Sequence, residues 1–290
     1  MNITISDRTI GDGYPVVSCA EIGINHSGRI DLARQLIAAA AHCGAWAVKF
    51  QKRTVDVVYS AEELARPRES PFGSTNGDLK RGLEFSPQQY ATIDALCEEH
   101  GVPWFASCWD ENAVDEIEAF NPPCYKIASA SLTDDNLLRH TRATGKPMIL
   151  STGMSTLAEI DHAVEVLGTN DLVIMHCTST YPTEDKEINL LAIPRLRERY
   201  QVPIGFSGHE RGIATSVAAA ILGACIIERH LTMDRGSWGS DQSASLEPQG
   251  FARLVRDIEA VEDAMGNGEK VVYESERPII AKLRRVGARV

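Results

Sequence analysis

Two histidines, two lysines and a carboxylate stand at or near the ends of short apolar runs in this 290-residue chain. His209 closes PIGFSGH and His230 closes ACIIERH; Lys49 and Gln51 close AWAVKFQ; Lys126 and Ser129 close CYKIAS; Glu21 lies near the end of VVSCAEIG. Two imidazoles plus oxygen ligands suit a divalent transition metal that keeps positions open for substrate. One such histidine would more often be bonded to a backbone carbonyl, but two at neighbouring strand ends favour a metal. Glu228 shares the strand face of His230, two residues away, and could be a further ligand or orient a bound water.

Lys49 and Gln51 have the same strand parity, so both face inward if either does. A buried ammonium needs an anionic partner, either Glu21 on the adjacent strand or an acidic group of a ligand. Lys126 repeats the pattern, and two such lysines weigh toward an anionic ligand over two internal ion pairs. Ser107, Ser129, Ser151 and Ser207 each fit an ordinary helix cap. Together with the lysines they describe a site for phosphate plus carboxylate, with Gly153 and Gly208 letting backbone amides approach closely. Glu21 is a candidate general base or water-orienting group. Asp241, in the loop GSWGSDQSAS, could bind a substrate hydroxyl. Cys177 beside His176 makes a poor nucleophile pair, because adjacent strand residues point to opposite faces.

These residues need a scaffold that gathers strand ends. Eight apolar runs, separated by helical stretches, read as buried parallel strands. They predict a (β/α)₈ TIM barrel, an α/β fold whose active site lies at the carboxyl ends of its strands. Strands are expected near 16–21, 45–51, 103–108, 124–129, 147–152, 171–177, 203–208 and 224–231. Ser86-Pro87 should cap a helix running to His100, and a last helix is expected at 248–266. The chain reads as one domain over 1–290. Residues 1–15 form an N-terminal hairpin, turning at Gly11-Asp12-Gly13, that could plug the barrel. An insertion at 53–85 rises above the mouth, as long loops in compact domains commonly serve as lids. A basic tail, 269–290, carries Lys282, Arg284, Arg285 and Arg289.

Forty acidic residues against 29 basic ones give a net charge of −11, which argues against nucleic-acid or membrane-surface partners. An anionic substrate therefore requires a local basic pocket. The seven cysteines form no CxxC pair and suit a reducing cytoplasm. The N-terminus lacks the pattern of a signal peptide, and no apolar run is long enough to span a bilayer.

AEIGINHSG, WAVKFQ, YKIAS, ILSTGM, HCTSTYPT, GFSGH and IIERHLTMDRGSWGSDQSASLEP together resemble the sialic acid synthase family, in its order and spacing over residues 16–265. The resemblance implies a barrel enzyme, a transferase that condenses phosphoenolpyruvate with an N-acetylmannosamine-type aldose. The product is a nine-carbon 3-deoxy-ulosonic acid, and phosphate is released. It implies that His209 and His230 bind Mn²⁺ or Mg²⁺ and that Glu21 is the essential carboxylate. Lys49, Ser107, Lys126, Ser129, Ser151 and Ser207 then match phosphoenolpyruvate contacts, and Gln51, Tyr181 and Asp241 match sugar-side groups. KRGLEFS, SGHE and WGSDQSASLEP are similar to the animal-type synthases that take a 6-phosphorylated sugar.

The chain departs from the family pattern at Ser131, where an acidic residue is common, and at Ser179, where some members carry asparagine. Typical members also continue into an antifreeze-like domain that donates an arginine to the partner subunit's sugar site. A homodimer is expected, with the insertion's Arg66, Arg68, Lys80 and Arg81 closing over the sugar in preference to Arg284 and Arg285 of the tail. Two other readings compete: a Schiff-base aldolase using Lys126, and a catalytically inactive sugar-binding barrel.

Overall fold

The computed structural model describes residues 1–287, so Arg289 of the basic tail lies outside the described residues. The chain opens with an antiparallel hairpin of β1 (Asn2–Ile5) and β2 (Arg8–Gly11). Its reversal is at Ser6-Asp7, with Ile5 opposite Arg8, and not at the Gly11-Asp12-Gly13 turn expected from sequence. That register puts Ile3, Ile5 and Ile10 into the core, and burying one face is what fixes strand register. Ser6 takes the left-handed conformation at φ 58° that so short a loop requires. The Gly-Asp-Gly turn instead leads the chain out of the hairpin.

The first barrel unit is β3 (Val17–Gly23) and α1 (Ile30–His42), followed by β4 (Ala47–Lys52). The insertion is not a bare loop. It folds into α2 (Val55–Val58), α3 (Ala61–Ala65), a small hairpin of β5 (Pro67–Ser70) and β6 (Gly73–Thr75), and α4 (Asn76–Leu83). Then α5 (Pro87–Glu99) begins at a capping box in which Ser86 and Gln89 satisfy each other's backbone amides, with proline in the first turn.

Regular alternation follows: β7 (Trp104–Cys108), α6 (Glu111–Glu118), β8 (Tyr125–Ile127), α7 (Asp135–Ala143), β9 (Met148–Ser151), α8 (Leu157–Leu167), β10 (Leu172–Cys177), α9 (Ala192–Tyr200), β11 (Ile204–Gly208), α10 (Ala214–Ile221) and β12 (Ile226–His230). α11 (Pro248–Met265) completes the ring, and α12 (Arg277–Leu283) lies in the exposed tail. Eight parallel strands close in the order β10-β11-β12-β3-β4-β7-β8-β9.

The barrel interior is layered. Cys19, Ala47, Phe105, Cys124, Ile149, Met175 and Ile226 pack with Ile3, Ile5 and Ile10 of the hairpin into one apolar cluster. Two residues further along the same strands, with the same parity, stand Glu21, Lys49, Ser107, Lys126, Ser151, Cys177 and Glu228, which line the mouth. The outward strand faces join the helices in a second, larger core that includes Phe50, Tyr90, Trp104 and Phe206. All seven cysteines are free and buried. No helix among the described residues is long and apolar enough to cross a membrane.

Candidate active site

The strand ends build a cavity of about 230 Å³ at the carboxyl face. Of the twelve site residues proposed from sequence, eleven line it: Glu21, Lys49, Gln51, Ser107, Lys126, Ser129, Ser151, Tyr181, Ser207, His209 and His230. The twelfth, Asp241, has Oδ2 3.8 Å from His230 Nδ1. Strand β3 enters the site through a bulge between Glu21 and Gly23. Gly23 adopts φ +52°, and a Cβ there would stand 2.7 Å from Glu21 Oε1, so a side chain at this position would displace the carboxylate.

A charged quartet forms the floor of the mouth. Lys49 Nζ lies 2.5 Å from Glu21 Oε2 and 3.7 Å from Glu228 Oε1, while Lys126 Nζ lies 2.5 Å from the same Glu228 oxygen. Each lysine therefore has a carboxylate partner within the protein, the internal pairing that the sequence left open beside an anionic ligand. Glu228 Oε1 additionally accepts a hydrogen bond from Ser207 Oγ at 3.0 Å. Ser107 accepts from Lys49 Nζ at 3.1 Å, and Gln51 Nε2 donates to Glu21 Oε1 at 2.9 Å.

The two carboxylates are driven apart. Burial works against ionisation of Glu228, but Lys126 and Lys49 outweigh it and hold the group at about 2. Burial raises the Glu21 carboxyl, with the Glu228 charge adding to the rise and Lys49 opposing it. Lys49 is itself shifted upward, because Glu21 and Glu228 overcome the cost of its burial. The two shifts are opposite: the lysines favour the ionised form of Glu228, and burial favours the protonated form of Glu21.

The histidines stand beside this quartet, His230 opposite Glu21 in the β12–β3 pairing, with ring centroids 5.5 Å apart. His209 Nδ1 donates to the Thr178 carbonyl at 2.8 Å, which fixes the tautomer and leaves Nε2 as a lone-pair donor. His230 Nδ1 is buried with no hydrogen-bond partner among the described residues. Burial, aided by the neighbouring imidazole, lowers His209 to about 4, and burial against the pull of Asp241 lowers His230 to about 4. Both are therefore neutral at pH 7, the form that binds a metal. No group of three histidine, cysteine or acidic side chains is arranged for a metal among the described residues. Two imidazoles, one with an orphaned nitrogen, fit a divalent cation whose other positions belong to water and substrate. Tyr181 leans over this pair, its ring 4.1 Å from that of His209.

Ser129 sits beyond the end of β8, at the start of a 3₁₀ turn (Ser129–Ser131), so β8 is shorter than the run 124–129 suggested. Its hydroxyl accepts from Gly153 N at 3.0 Å and lies 3.2 Å from Cys177 Sγ. Ser151 lines the cavity from β9.

Sequence reading missed two features. Trp109 lines the mouth, and the Arg53 guanidinium stacks 4.4 Å over its ring while pairing with Glu84 at 2.9 Å. Arg229, fully buried behind Glu228 and His230, binds Glu210 Oε1 at 2.7 Å, the Glu210 carbonyl at 2.6 Å and the Gly212 carbonyl at 2.7 Å. It thereby fixes the segment that follows His209. Trp109 could have been suspected from its place just past a strand end. Arg229 gave no signal in sequence, since its neighbours in ERH all have chemistry of their own.

A model of the NeuB family matches residues 36–270. The chain belongs to the NeuB family. It is 40% identical to the N-acetylneuraminate-9-phosphate synthase of Homo sapiens, over 95% of this chain and 78% of that one. It is 35% identical to the N,N'-diacetyllegionaminic acid synthase of Legionella pneumophila, over 92% and 78%. The crystal structure of N-acetylneuraminic acid synthetase from Leptospira borgpetersenii, in complex with citrate, superposes with a TM-score of 0.86 at 30% identity, over 99% and 98% of the two chains. The chain is accordingly an enzyme, a synthase of the kind those names describe, and the reading as a catalytically inactive barrel is set aside.

Proposed function

We propose that this mouth condenses phosphoenolpyruvate with an N-acylated amino-sugar aldose to give a sialic or related ulosonic acid and phosphate. The observation that carries the reading is the arrangement of two lysines, a proton-exchanging carboxylate and two neutral histidines around one cavity. Family membership supports it. C3 of phosphoenolpyruvate attacks the aldehyde carbon, water adds at C2, and breaking the C2–O bond expels phosphate.

Lys126 spends one N–H on Glu228, Lys49 spends one each on Glu21 and Ser107, and both keep donor capacity for the substrate's phosphate and carboxylate. Ser107, Ser129, Ser151 and Ser207 place short hydroxyls around the same end. Glu21 takes the proton of the attacking water or returns one to the forming alkoxide at its Oε atoms. His209 Nε2 and His230 Nδ1 would hold Mn²⁺ or Mg²⁺, which supplies Lewis-acid polarisation of the aldehyde oxygen when bound. Gln51, Tyr181 and Asp241 border that rim and orient the sugar. A Schiff-base role for Lys126 would have to give up its 2.5 Å contact with Glu228.

The three carbons of phosphoenolpyruvate become C1–C3 of the product and a hexose supplies C4–C9. A 9-phosphate product, named for the human relative, therefore arises from a 6-phosphorylated acceptor. Phosphate release from phosphoenolpyruvate, measured with a panel of N-acylated hexosamines and their 6-phosphates, tests the reading. Activity should disappear with chelator and in His209→Ala or His230→Ala, with far-UV dichroism unchanged. Full activity in chelator, or no phosphate release with any aldose, overturns it.

A further inference from the structure

The side-chain amide of Gln51 has a donor face and an acceptor face, and its neighbours decide which of them meets Glu21. Nε2 donates to Glu21 Oε1 at 2.9 Å, and Oε1 accepts from the Arg53 guanidinium. An ionised carboxylate can only accept and a guanidinium can only donate, so an amide held between the two has a single orientation. Gly23 leaves room for it, since a Cβ there would stand 3.1 Å from Gln51 Nε2.

Arg53 is firmly held. It follows β4, is buried, and donates from Nη1 to Glu84 Oε1 at 2.9 Å, while its backbone N–H donates to Glu84 Oε2 at 3.1 Å. Glu84 follows α4, so this clamp ties the insertion to the strand that carries Gln51. The Trp109 ring, just past β7, lies 4.4 Å from the guanidinium carbon and lines the mouth, whereas Arg53 itself does not. An arginine present only to neutralise Glu84 would meet both carboxylate oxygens with its planar fork. Here the fork divides: Nη1 serves Glu84, Nη2 serves Gln51, and Nε has no partner among the described residues.

We propose that Arg53 is a positioning residue for the reaction, holding the Gln51 amide in the orientation that presents N–H, and not C=O, to Glu21 and to the acceptor sugar. The proposal rests on the reading of the mouth as a condensing site with Glu21 as its reacting carboxylate. With Oε1 turned to the guanidinium, one N–H of Gln51 holds Glu21 and the other is left for an oxygen of the acceptor. The charge on Arg53 polarises the amide and strengthens both bonds. Without Arg53 the amide can turn over, and its carbonyl dipole then faces the Glu21 carboxylate and repels it.

The test removes Arg53 and Glu84 together, as Arg53→Met with Glu84→Met, because removing the arginine alone strands a buried charge and endangers the fold. This pair variant, Gln51→Met and the triple variant are compared in single-turnover condensation of phosphoenolpyruvate with an N-acylated hexosamine. The pair variant should slow by on the order of 10-fold, the effect of one misdirected hydrogen bond to a charged group. KM for the acceptor should rise and KM for phosphoenolpyruvate should hold. The triple variant should be no slower than Gln51→Met, since Arg53 acts through Gln51. A wild-type rate in the pair variant, or losses that multiply in the triple, would overturn the proposal. A second readout needs no turnover: the Gln51 side-chain amide signals in ¹H–¹⁵N spectra, identified by their loss in Gln51→Met. They should exchange slowly with solvent in wild type and faster, at shifted positions, in the pair variant; unchanged signals would also overturn the proposal. If wild type condenses nothing while these signals still depend on Arg53, the positioning stands and the condensing reading falls.

Discussion

The two ends of the barrel are made from the same eight strands and do opposite things. At the amino end, inward residues such as Ala47, Phe105 and Ile149 meet Ile3, Ile5 and Ile10 of the hairpin in an apolar plug. Two residues further on, the inward positions are Lys49, Ser107 and Ser151, open to the mouth. Apolar burial at one end supplies free energy that the other end, with four buried charges in one quartet, costs. An ion pair removed from water gains little net stability even when well paired. The division therefore separates stability from chemistry along each strand, and substitutions at the two ends should have separable consequences.

The largest effect on stability should come from the plug. Ile5 is completely buried, and Ile5→Ala should cost about 2–5 kcal/mol of unfolding free energy through lost burial and a residual cavity. Turnover per folded molecule should be little altered, since Ile5 belongs to the plug and not to the lining of the mouth. Urea denaturation together with active-site-normalised kinetics checks both halves; a fall in turnover matching the stability loss would show that the two ends are coupled.

The pH response should come from the other end, where the buried histidines and carboxylates are gathered. His26, on the loop after β3, stacks on Phe85 at 4.0 Å, and burial lowers it to about 3. The unfolded chain takes up this proton near the ordinary value of about 6.5, whereas the folded chain takes it up only near 3. Stability from this group is thus present above the unfolded pKa and falls as pH drops between these values, by about 1.4 kcal/mol per pH unit for one proton. His26→Leu should reduce that slope by one proton even if it lowers the melting temperature by leaving Gly28 N–H without its acceptor. An unchanged slope would place the acid sensitivity elsewhere.

Much of this layout was legible in sequence because a barrel strand writes its two layers in order, apolar residues first and a polar residue at the end. VVSCAE and AWAVKFQ show the change directly, and parity alone placed Lys49 beside Gln51 and Glu228 beside His230. Pairing was not legible. Lys126 and Glu228 are 102 residues apart and meet across the closed barrel, and only closure sets β12 beside β3 so that His230 adjoins Glu21. For the same reason the sequence could not show that Arg66 and Arg81 are neutralised within the insertion, by Glu63 and Asp56. The hairpin turn was misplaced because two glycines around Asp12 outweighed a plain Ser-Asp reversal, although the isoleucine alternation required the latter.

The central claim is that Glu21 exchanges a proton in the reaction and is more than the counter-ion of Lys49. Glu21→Gln keeps the shape and the hydrogen bond to Gln51 but cannot take or give that proton. The account predicts that phosphoenolpyruvate still binds, measured by calorimetry, and that single-turnover product formation slows by on the order of 10²-fold or more, whatever the loss of the Lys49 ion pair does to the melting temperature. Wild-type turnover in a variant of lowered melting temperature would contradict it, and would leave Glu21 as the internal partner of a buried lysine.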